Sequence, residues 1–188
     1  MSTSPIYYIP QSRTPQILSQ KIHHIIACPH AQVPVGTTKR TNHWCFYLST
    51  SETTCVALDC QPSHTVASSV LVGGSKAYVI LSELSAPAGS DALLEFAVAV
   101  DVRAGLRVGD VVDVLVENGR ERYEFDADGV GCRFWVTGVL ELLLRVGVLV
   151  DGRQVEQAKA VVKRLWPEGT DLELDRGCIT SEGKALLG

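Results

Sequence analysis

The hydrophobic pattern of the chain changes its period once, close to residue 105, and this change limits the fold more than any other feature. Between residues 22 and 101, apolar and β-branched residues occur in short runs separated by glycine, proline and polar segments, which is typical of β-strands. From Val108 onward, apolar residues recur at every third or fourth position, as on one face of a helix. Strands followed by helices predict an α+β domain, in which an antiparallel sheet of about five strands packs against a central helix.

The length of 188 residues and the hydrophobic content of 46% are sufficient for one sizeable core. Residues 1–21 mix proline, serine and threonine, and we expect them to form an irregular N-terminal arm. Residues 22–188 are then expected to form a single domain.

The charge of the chain argues against a general affinity for polyanions. The formal net charge is -4 and the isoelectric point is about 5.7, so RNA would be contacted only locally, through Lys39 and Arg40 or through Lys159, Lys163 and Arg164. The N-terminus lacks the pattern of a signal peptide, and no apolar run reaches the roughly 18 residues of a membrane helix. We therefore expect a cytoplasmic protein without a membrane partner.

Six cysteines in a chain of this kind are expected to be free thiols. No pair of them has the CxxC spacing, and the group of His23, His24, Cys28 and His30 is not followed by a second set of ligands. We therefore expect no metal site and no cofactor.

Cys132 is the strongest candidate nucleophile. It stands between a glycine-rich loop, DADGVG, and an apolar helix, and the unpaired N–H groups of a first helical turn stabilise a thiolate. Gly131 and Arg133 flank it, and their backbone N–H groups are candidate donors to the oxyanion of a tetrahedral intermediate. The alternative interpretation is a tight loop-to-helix joint with a buried, inert cysteine.

His43 is the candidate base because it lies inside the aromatic strand NHWCFYL, where an imidazole needs a partner. If the hairpin to the next strand turns at Ser51, Asp59 faces His43 directly and fixes its tautomer. A slip of one residue would send Asp59 to the other face of the sheet, and Asn42 or Gln61 would then orient the imidazole.

Four further residues are candidates for contacting a substrate. Asn42 and Trp44 flank His43, and Trp135 lies one helical turn after Cys132. Glu83 is a strand carboxylate that would suit a cationic group. The alternative is core packing for the two tryptophans and solvent exposure for Glu83.

The histidine strand followed much later by the Gly-Cys helix start resembles the circularly permuted papain-like thiol enzymes. These include lecithin:retinol acyltransferase and the PPPDE-type peptidases that cleave ubiquitin-like modifiers. The resemblance implies a permuted papain-like fold and a triad in the order His43, Asp59, Cys132.

The segments NHWCFYL and GVGCRFW also resemble a small fungal family without an assigned function, over roughly residues 42–166. Fungal arginine-containing cyclodipeptide synthases are similar in size and motif. That likeness implies transfer of an aminoacyl group from a charged tRNA to Cys132, followed by closure of a diketopiperazine.

Three functional hypotheses remain open at this point. The first is a cysteine-dependent acyltransferase. The resemblance to cyclodipeptide synthases implies that its acyl donor is an aminoacyl-tRNA. The second is a thiol hydrolase acting on a small-molecule or peptide substrate, and the third is a non-catalytic binding domain with the same fold.

Overall fold

The computed structural model of the chain describes residues 6–85 and 92–180. Its strands are β1 (Ile6–Ile9), β2 (His24–Val35), β3 (Lys39–Ser49), β4 (Cys55–Ala67), β5 (Ser75–Leu84), β6 (Val98–Asp101), β7 (Tyr123–Phe125), β8 (Arg164–Leu165), β9 (Thr170–Asp171) and β10 (Gly177–Ile179). Its helices are α1 (Thr14–Ser19), α2 (Val108–Glu117), α3 (Cys132–Arg145) and α4 (Gly152–Val162).

Within the described ranges, eight strands form one sheet, in the order β10-β7-β5-β4-β3-β2-β6 with β1 beside β5. Neighbouring strands are antiparallel except β1 and β5, which run parallel. The α+β class is confirmed, but the expectation of about five strands is too low. The counts differ mainly because β1 and β10 are only 4 and 3 residues long, too short to show a period in the sequence.

The helices cover one face of the sheet, and α3 lies at the centre of the core. Alternate β3 residues Trp44, Phe46 and Leu48 are fully buried on this face. The ring of Trp135 on α3 lies 6.0 Å from that of Phe46, between centroids. Because burying one large apolar side chain contributes about 1.5–3 kcal/mol, this layer holds α3 firmly against the sheet.

The N-terminal segment differs from its expected irregular form. Residues Ile6–Ile9 form β1, which pairs with β5 in the register Ile6–Val79 to Ile9–Ser82. Helix α1 follows, and its Ile17 is fully buried in the core. The two prolines of this segment do not prevent it from packing. Pro10 lies between β1 and α1, and Pro15 lies in the first turn of α1, where proline is well tolerated.

The sheet opens between β3 and β4. The two strands pair from Ser49–Cys55 to Phe46–Leu58, and beyond Leu58 strand β4 pairs with β5 alone. On the other side of β3, a register shift between Pro29 and Gln32 forms a bulge in β2 opposite His43. The first turn of α3 lies at this opening.

No helix in the described part of the chain is long and apolar enough to cross a membrane.

Candidate active site

Cys132 is the first residue of α3 and reaches the open end of the β3–β4 pair. Its exposed fraction is 5%, and its Sγ lies 3.8 Å from the backbone oxygen of Asn42. Cys132 is placed there by the loop of residues 126–131, which follows the short strand β7. Asp126 fixes the conformation of this loop by accepting hydrogen bonds from the N–H groups of Asp128 and Val130. The sequence position and the fold thus agree on a cysteine at a helix N-terminus.

Gly131 is required by crowding at the helix start. A Cβ at this position would lie 2.9 Å from Tyr123 Oη, 3.0 Å from Phe125 Cδ1 and 3.1 Å from the Arg176 carbonyl oxygen. The Tyr123 hydroxyl also donates to the Gly131 carbonyl at 2.7 Å. The backbone that carries Cys132 is therefore fixed by close packing.

His43 and Asp59 are hydrogen-bonded, with Nε2 and Oδ1 2.7 Å apart. The register differs from the expected one, because Ser49 pairs with Cys55 and the turn is centred on Glu52. Continuing this register would put Asp59 level with Cys45 instead of His43. Since this is a shift of two residues, Asp59 stays on the face of His43 and reaches it diagonally.

The Cys132 side chain also acts on the His43 imidazole, as one of the groups that raise its pKa. With Nε2 engaged by Asp59, Nδ1 is the ring nitrogen that remains for the thiol. Burial alone would lower the pKa of His43, but the hydrogen bonds and charges of Asp59 and Cys132 raise this pKa well above its ordinary value. The imidazole is thus stabilised in its protonated form.

Asp59 is held as a carboxylate. Burial acts to raise its pKa, but the hydrogen bond from His43, the charge of His43 and the hydrogen bond from Gln61 lower the pKa below the ordinary value. Gln61 Nε2 donates to Oδ2 at 2.5 Å, so both carboxylate oxygens are fixed. Gln61 supports Asp59 and does not replace it.

The first turn of α3 has a carboxylate partner from elsewhere in the chain. Asp175 accepts the N–H of Arg133 at 3.2 Å and that of Phe134 at 2.7 Å. The Arg133 N–H is therefore not available to an oxyanion. In residues 6–85 and 92–180, the Cys132 N–H has no hydrogen-bond acceptor, so it is the open donor of this turn.

A family model for a domain of unknown function (DUF7770) matches residues 23–178. The chain belongs to the DUF7770 family. The matched range contains the Cys132 helix, the His43 and Asp59 strands and Asp175, and it leaves out β1 and α1. No curated protein and no solved structure matches this DUF7770 chain.

The residues proposed to contact a substrate have structural contacts in this DUF7770 protein. Asn42 is fully buried, with Nδ2 donating to the carbonyls of His30 at 2.8 Å and Trp166 at 2.9 Å. Its Oδ1 accepts the Trp166 N–H at 2.7 Å. Trp44 and Trp135 lie in the core, with exposed fractions of 0% and 2%.

Glu83 lies away from the triad. It pairs with Val56 on β4, whereas Asp59 pairs with Ile80 further along the same ladder. The Glu83 carboxylate accepts a hydrogen bond from Gln20 at 2.7 Å and forms an ion pair with Arg13 at 2.8 Å. Its role is to fix the N-terminal segment against β5.

Sequence reasoning missed the part that His30 takes in the site. The bulge in β2 brings its ring to 5.9 Å from that of His43, and its Nε2 lies 3.2 Å from both Cys45 Sγ and Tyr47 Oη. A bulge depends on tertiary pairing, so nothing in the local sequence identified it. Among the described residues, no group of three or more histidine, cysteine or acidic side chains is arranged to hold a metal ion.

Cys45 also contacts a histidine, His30, but its burial disfavours the thiolate that a nucleophile requires. Desolvation, and then the charge of Asp59, raise the pKa of the Cys45 thiol well above its ordinary value. Desolvation likewise raises the thiol pKa of Cys60, Cys178 and Cys55, to about 11 in the last case. Cys132 is the cysteine joined to the His43–Asp59 pair.

Proposed function

We propose that this DUF7770 protein is a cysteine-dependent acyltransferase that works through a thioester on Cys132. The observation that carries the proposal is the 2.7 Å contact of His43 with Asp59, together with the influence of the Cys132 side chain on the pKa of the same imidazole. Three separate elements, β3, β4 and α3, supply these side chains. A thiol, a base and an orienting carboxylate in this order of contact are the parts of a nucleophilic triad.

In the acylation step, the Cys132 proton resides on His43, and the thiolate attacks the carbonyl carbon of the acyl donor. The new bond joins Sγ to that carbon, and the carbonyl electron pair moves to its oxygen. The Cys132 N–H is the donor for this oxyanion. When the intermediate collapses, the bond to the leaving group breaks, and His43 gives its proton to that group.

In the transfer step, an acceptor amine attacks the thioester carbon and loses a proton to His43. The C–S bond breaks, Sγ leaves as the thiolate, and the pair of Cys132 and His43 is restored. Asp59 stays ionised throughout and holds the imidazole in place. Attack by water in place of the amine would make the same site a hydrolase.

The order of the triad supports a permuted papain-like arrangement as part of this proposal. His43 and Asp59 come from adjacent strands, and the nucleophile follows them at the start of the helix that packs on the sheet. We offer this relationship as an interpretation of the order of residues and of their contacts.

The substrate is proposed to be polar. A cavity of about 230 Å³ lies beside the loop that leads to Cys132, and its rim carries both charges, from Lys39, Arg40, Asp126 and Asp128. Lys159 is not an open cation, because it contacts Glu141 at 2.8 Å and Glu156 at 2.9 Å. An aminoacyl-tRNA donor would then rely on Lys39, Arg40, Lys163 and Arg164, and we treat it as one donor among those to be tested.

Intact-mass spectrometry tests the proposal. The protein is incubated with p-nitrophenyl acetate, with aminoacyl thioesters and with charged tRNAs, and then compared with Cys132→Ala. Cys178→Ala is the matched control, because Cys178 is the half-buried cysteine of β10. We expect an acyl adduct on the wild-type protein and on Cys178→Ala, and none on Cys132→Ala.

The fate of the adduct then separates transfer from hydrolysis. Faster loss of the adduct on addition of an amine, with the acyl group recovered as an amide, is the result expected of a transferase. Loss at the same rate with and without an amine would indicate a hydrolase. Failure of every donor to form an adduct would overturn thiol catalysis.

A further inference from the structure

The helix that carries Cys132 cannot be capped by its own sequence. The N-cap position is Gly131, which has no side chain to accept a first-turn N–H. A serine or aspartate there would place its Cβ against Tyr123 Oη, Phe125 and the Arg176 carbonyl. The close packing that fixes the nucleophile thus removes the usual N-cap.

Asp175 supplies the missing cap from the C-terminal segment. It lies 42 residues after Arg133, and its two carboxylate oxygens accept the Arg133 N–H at 3.2 Å and the Phe134 N–H at 2.7 Å. The exposed fraction of its side chain is 3%, so these bonds are shielded from water. An N-cap side chain normally makes this kind of contact with the second or third helical N–H.

Arg133 fixes the segment that carries Asp175. Its guanidinium is 3.5 Å from the Asp175 carboxylate and donates to the carbonyls of Val162, Leu172 and Glu173. A fork of five donors suits this set of acceptors. Gly177 allows the same segment to lie against Tyr123, because a Cβ at Gly177 would be 1.7 Å from Tyr123 Oη.

We propose that Asp175 is a positioning residue for the proposed acyl transfer, and that it acts by holding the first turn of α3. Asp175 accepts the N–H groups of Arg133 and Phe134, and these bonds fix the orientation of the first helical turn. The Cys132 N–H of that turn therefore has a fixed orientation and is free to donate to an oxyanion. This inference rests on the proposed function, because it concerns the alignment of the acylation step. It also explains why a C-terminal segment that contributes no side chain to the triad packs against the nucleophile.

Two reactions of Cys132 distinguish alignment from stability. Acylation by p-nitrophenyl acetate forms the S–C bond through an oxyanion and releases p-nitrophenolate. Alkylation by iodoacetamide forms an S–C bond at a methylene carbon, releases iodide and needs no oxyanion donor. Both reactions use the same thiolate, so the ratio of their rates is insensitive to the folded fraction and to the thiolate fraction.

The experiment measures this ratio for the wild-type full-length chain, for Asp175→Asn and for Leu174→Ala. Leu174 precedes Asp175 and packs partly buried against the core, so its truncation destabilises the same segment while keeping the Asp175 carboxylate that caps α3. We expect the ratio of acylation to alkylation to fall about tenfold or more in Asp175→Asn, since a lost or misaligned oxyanion donor costs about 10²–10³ in rate. Leu174→Ala should keep the wild-type ratio.

Circular dichroism establishes that each variant is folded at the assay temperature. If Asp175→Asn does not fold, Asp175→Glu takes its place, because it keeps the charge beside Arg133 and moves only the accepting oxygens. An unchanged ratio in the folded variant, or an equal fall in Leu174→Ala, would overturn the positioning role of Asp175. A wild-type protein that is alkylated but never acylated would overturn the proposed function together with this inference.

Discussion

Nε2 of His43 donates to Oδ1 of Asp59 at 2.7 Å across a diagonal of strands β3 and β4. The exposed fractions of the two side chains are 26% and 18%, so the contact is partly shielded from water. Because Asp59 also accepts a hydrogen bond from Gln61, the carboxylate is fixed from two sides, and its position determines which nitrogen faces Cys132.

Removal of the Asp59 carboxylate is expected to slow acylation. In Asp59→Ala the imidazole loses its orientation and the charge that stabilises its protonated form, so we expect acylation of Cys132 to fall about 10²-fold or more. Gln61→Ala is the matched control, because it removes only the support of Asp59 and should lose much less. Stopped-flow release of p-nitrophenolate measures both rates, and equal rates in Asp59→Ala and the wild type would exclude Asp59 from the site.

The contribution of His43 to stability is expected to depend on pH. Its pKa is raised in the folded state, so this stability is fully present below the unfolded value of about 6.5 and is lost as the pH rises through the folded pKa. The difference in free energy of unfolding between the wild type and His43→Gln should therefore shrink as the pH rises from about 6.5 through the folded pKa. Urea denaturation at several pH values measures it, and a difference that stays constant would contradict the raised pKa.

Gly131 is expected to tolerate no side chain. In Gly131→Ala the new Cβ meets Tyr123, Phe125 and the Arg176 carbonyl, so we expect a loss of about 1–3 kcal/mol in stability and slower acylation. Gly147→Ala is the control, because Gly147 also has a positive φ of +75° but no atom within 4 Å of an added Cβ. It should cost about 1 kcal/mol and leave acylation unchanged. Denaturation curves and acylation rates for the pair check this, and equal effects in both variants would show that backbone strain alone is involved.

Asn42 is expected to stabilise the fold without contacting a substrate. Asn42→Ala removes the acceptor of the Trp166 N–H and the hydrogen bonds that Asn42 donates to the His30 and Trp166 carbonyls, so we expect a loss of about 1–3 kcal/mol. Gln32→Ala, which removes a less buried contact with the Trp166 carbonyl at 3.0 Å, should cost less than about 1 kcal/mol. Thermal unfolding measures both. A large rise in KM for an acyl donor with unchanged stability would instead identify Asn42 as a substrate contact.

The buried carboxylate of Glu124 is expected to stabilise the loop of residues 68–74. It accepts hydrogen bonds from the hydroxyl groups of Ser68 and Ser69 and from the N–H groups of Ser69 and Val70. Although burial acts to raise its pKa, these hydrogen bonds lower it, so the stability is present above the unfolded value of about 4.3 and is lost as the pH falls through the folded pKa. In Glu124→Gln we expect a loss of about 1.5–3 kcal/mol near neutral pH. Acylation of Cys132 should not change, and a loss of acylation without a loss of stability would contradict this assignment.

Helices α2, α3 and α4 were predictable from the sequence because each has a local signal, whereas α1 lies in the segment that was expected to be irregular. The spacing of apolar residues from Val108 onward predicted α2, in which Val108, Val111 and Leu115 are buried. Helix α4 begins after the local N-cap Asp151, which accepts the N–H groups of Arg153 and Gln154. Strand β1 and the pairing of β7 with β10 were missed, because three or four residues carry no readable period and their partners lie far away in the chain.

The site was predictable in its residue types and less so in its geometry. His43, Asp59 and Cys132 stand out by local pattern, and an even error in the hairpin register kept Asp59 on the correct face. The role of Asp175 depends on a cap between segments far apart in the chain, and the position of His30 depends on a bulge in β2. The local sequence pattern predicts neither feature. Tertiary contacts therefore supply what local pattern could not.

Titration of His43 by NMR in the wild type and in Cys132→Ala tests the contact between the base and the nucleophile most directly. Because Cys132 raises the pKa of His43 through both a hydrogen bond and its charge, we expect the His43 ring signals of the variant to titrate at a lower pH than those of the wild type. An unchanged His43 titration would show that the sulfur and the imidazole do not interact, and would contradict the proposal of thiol chemistry at this site.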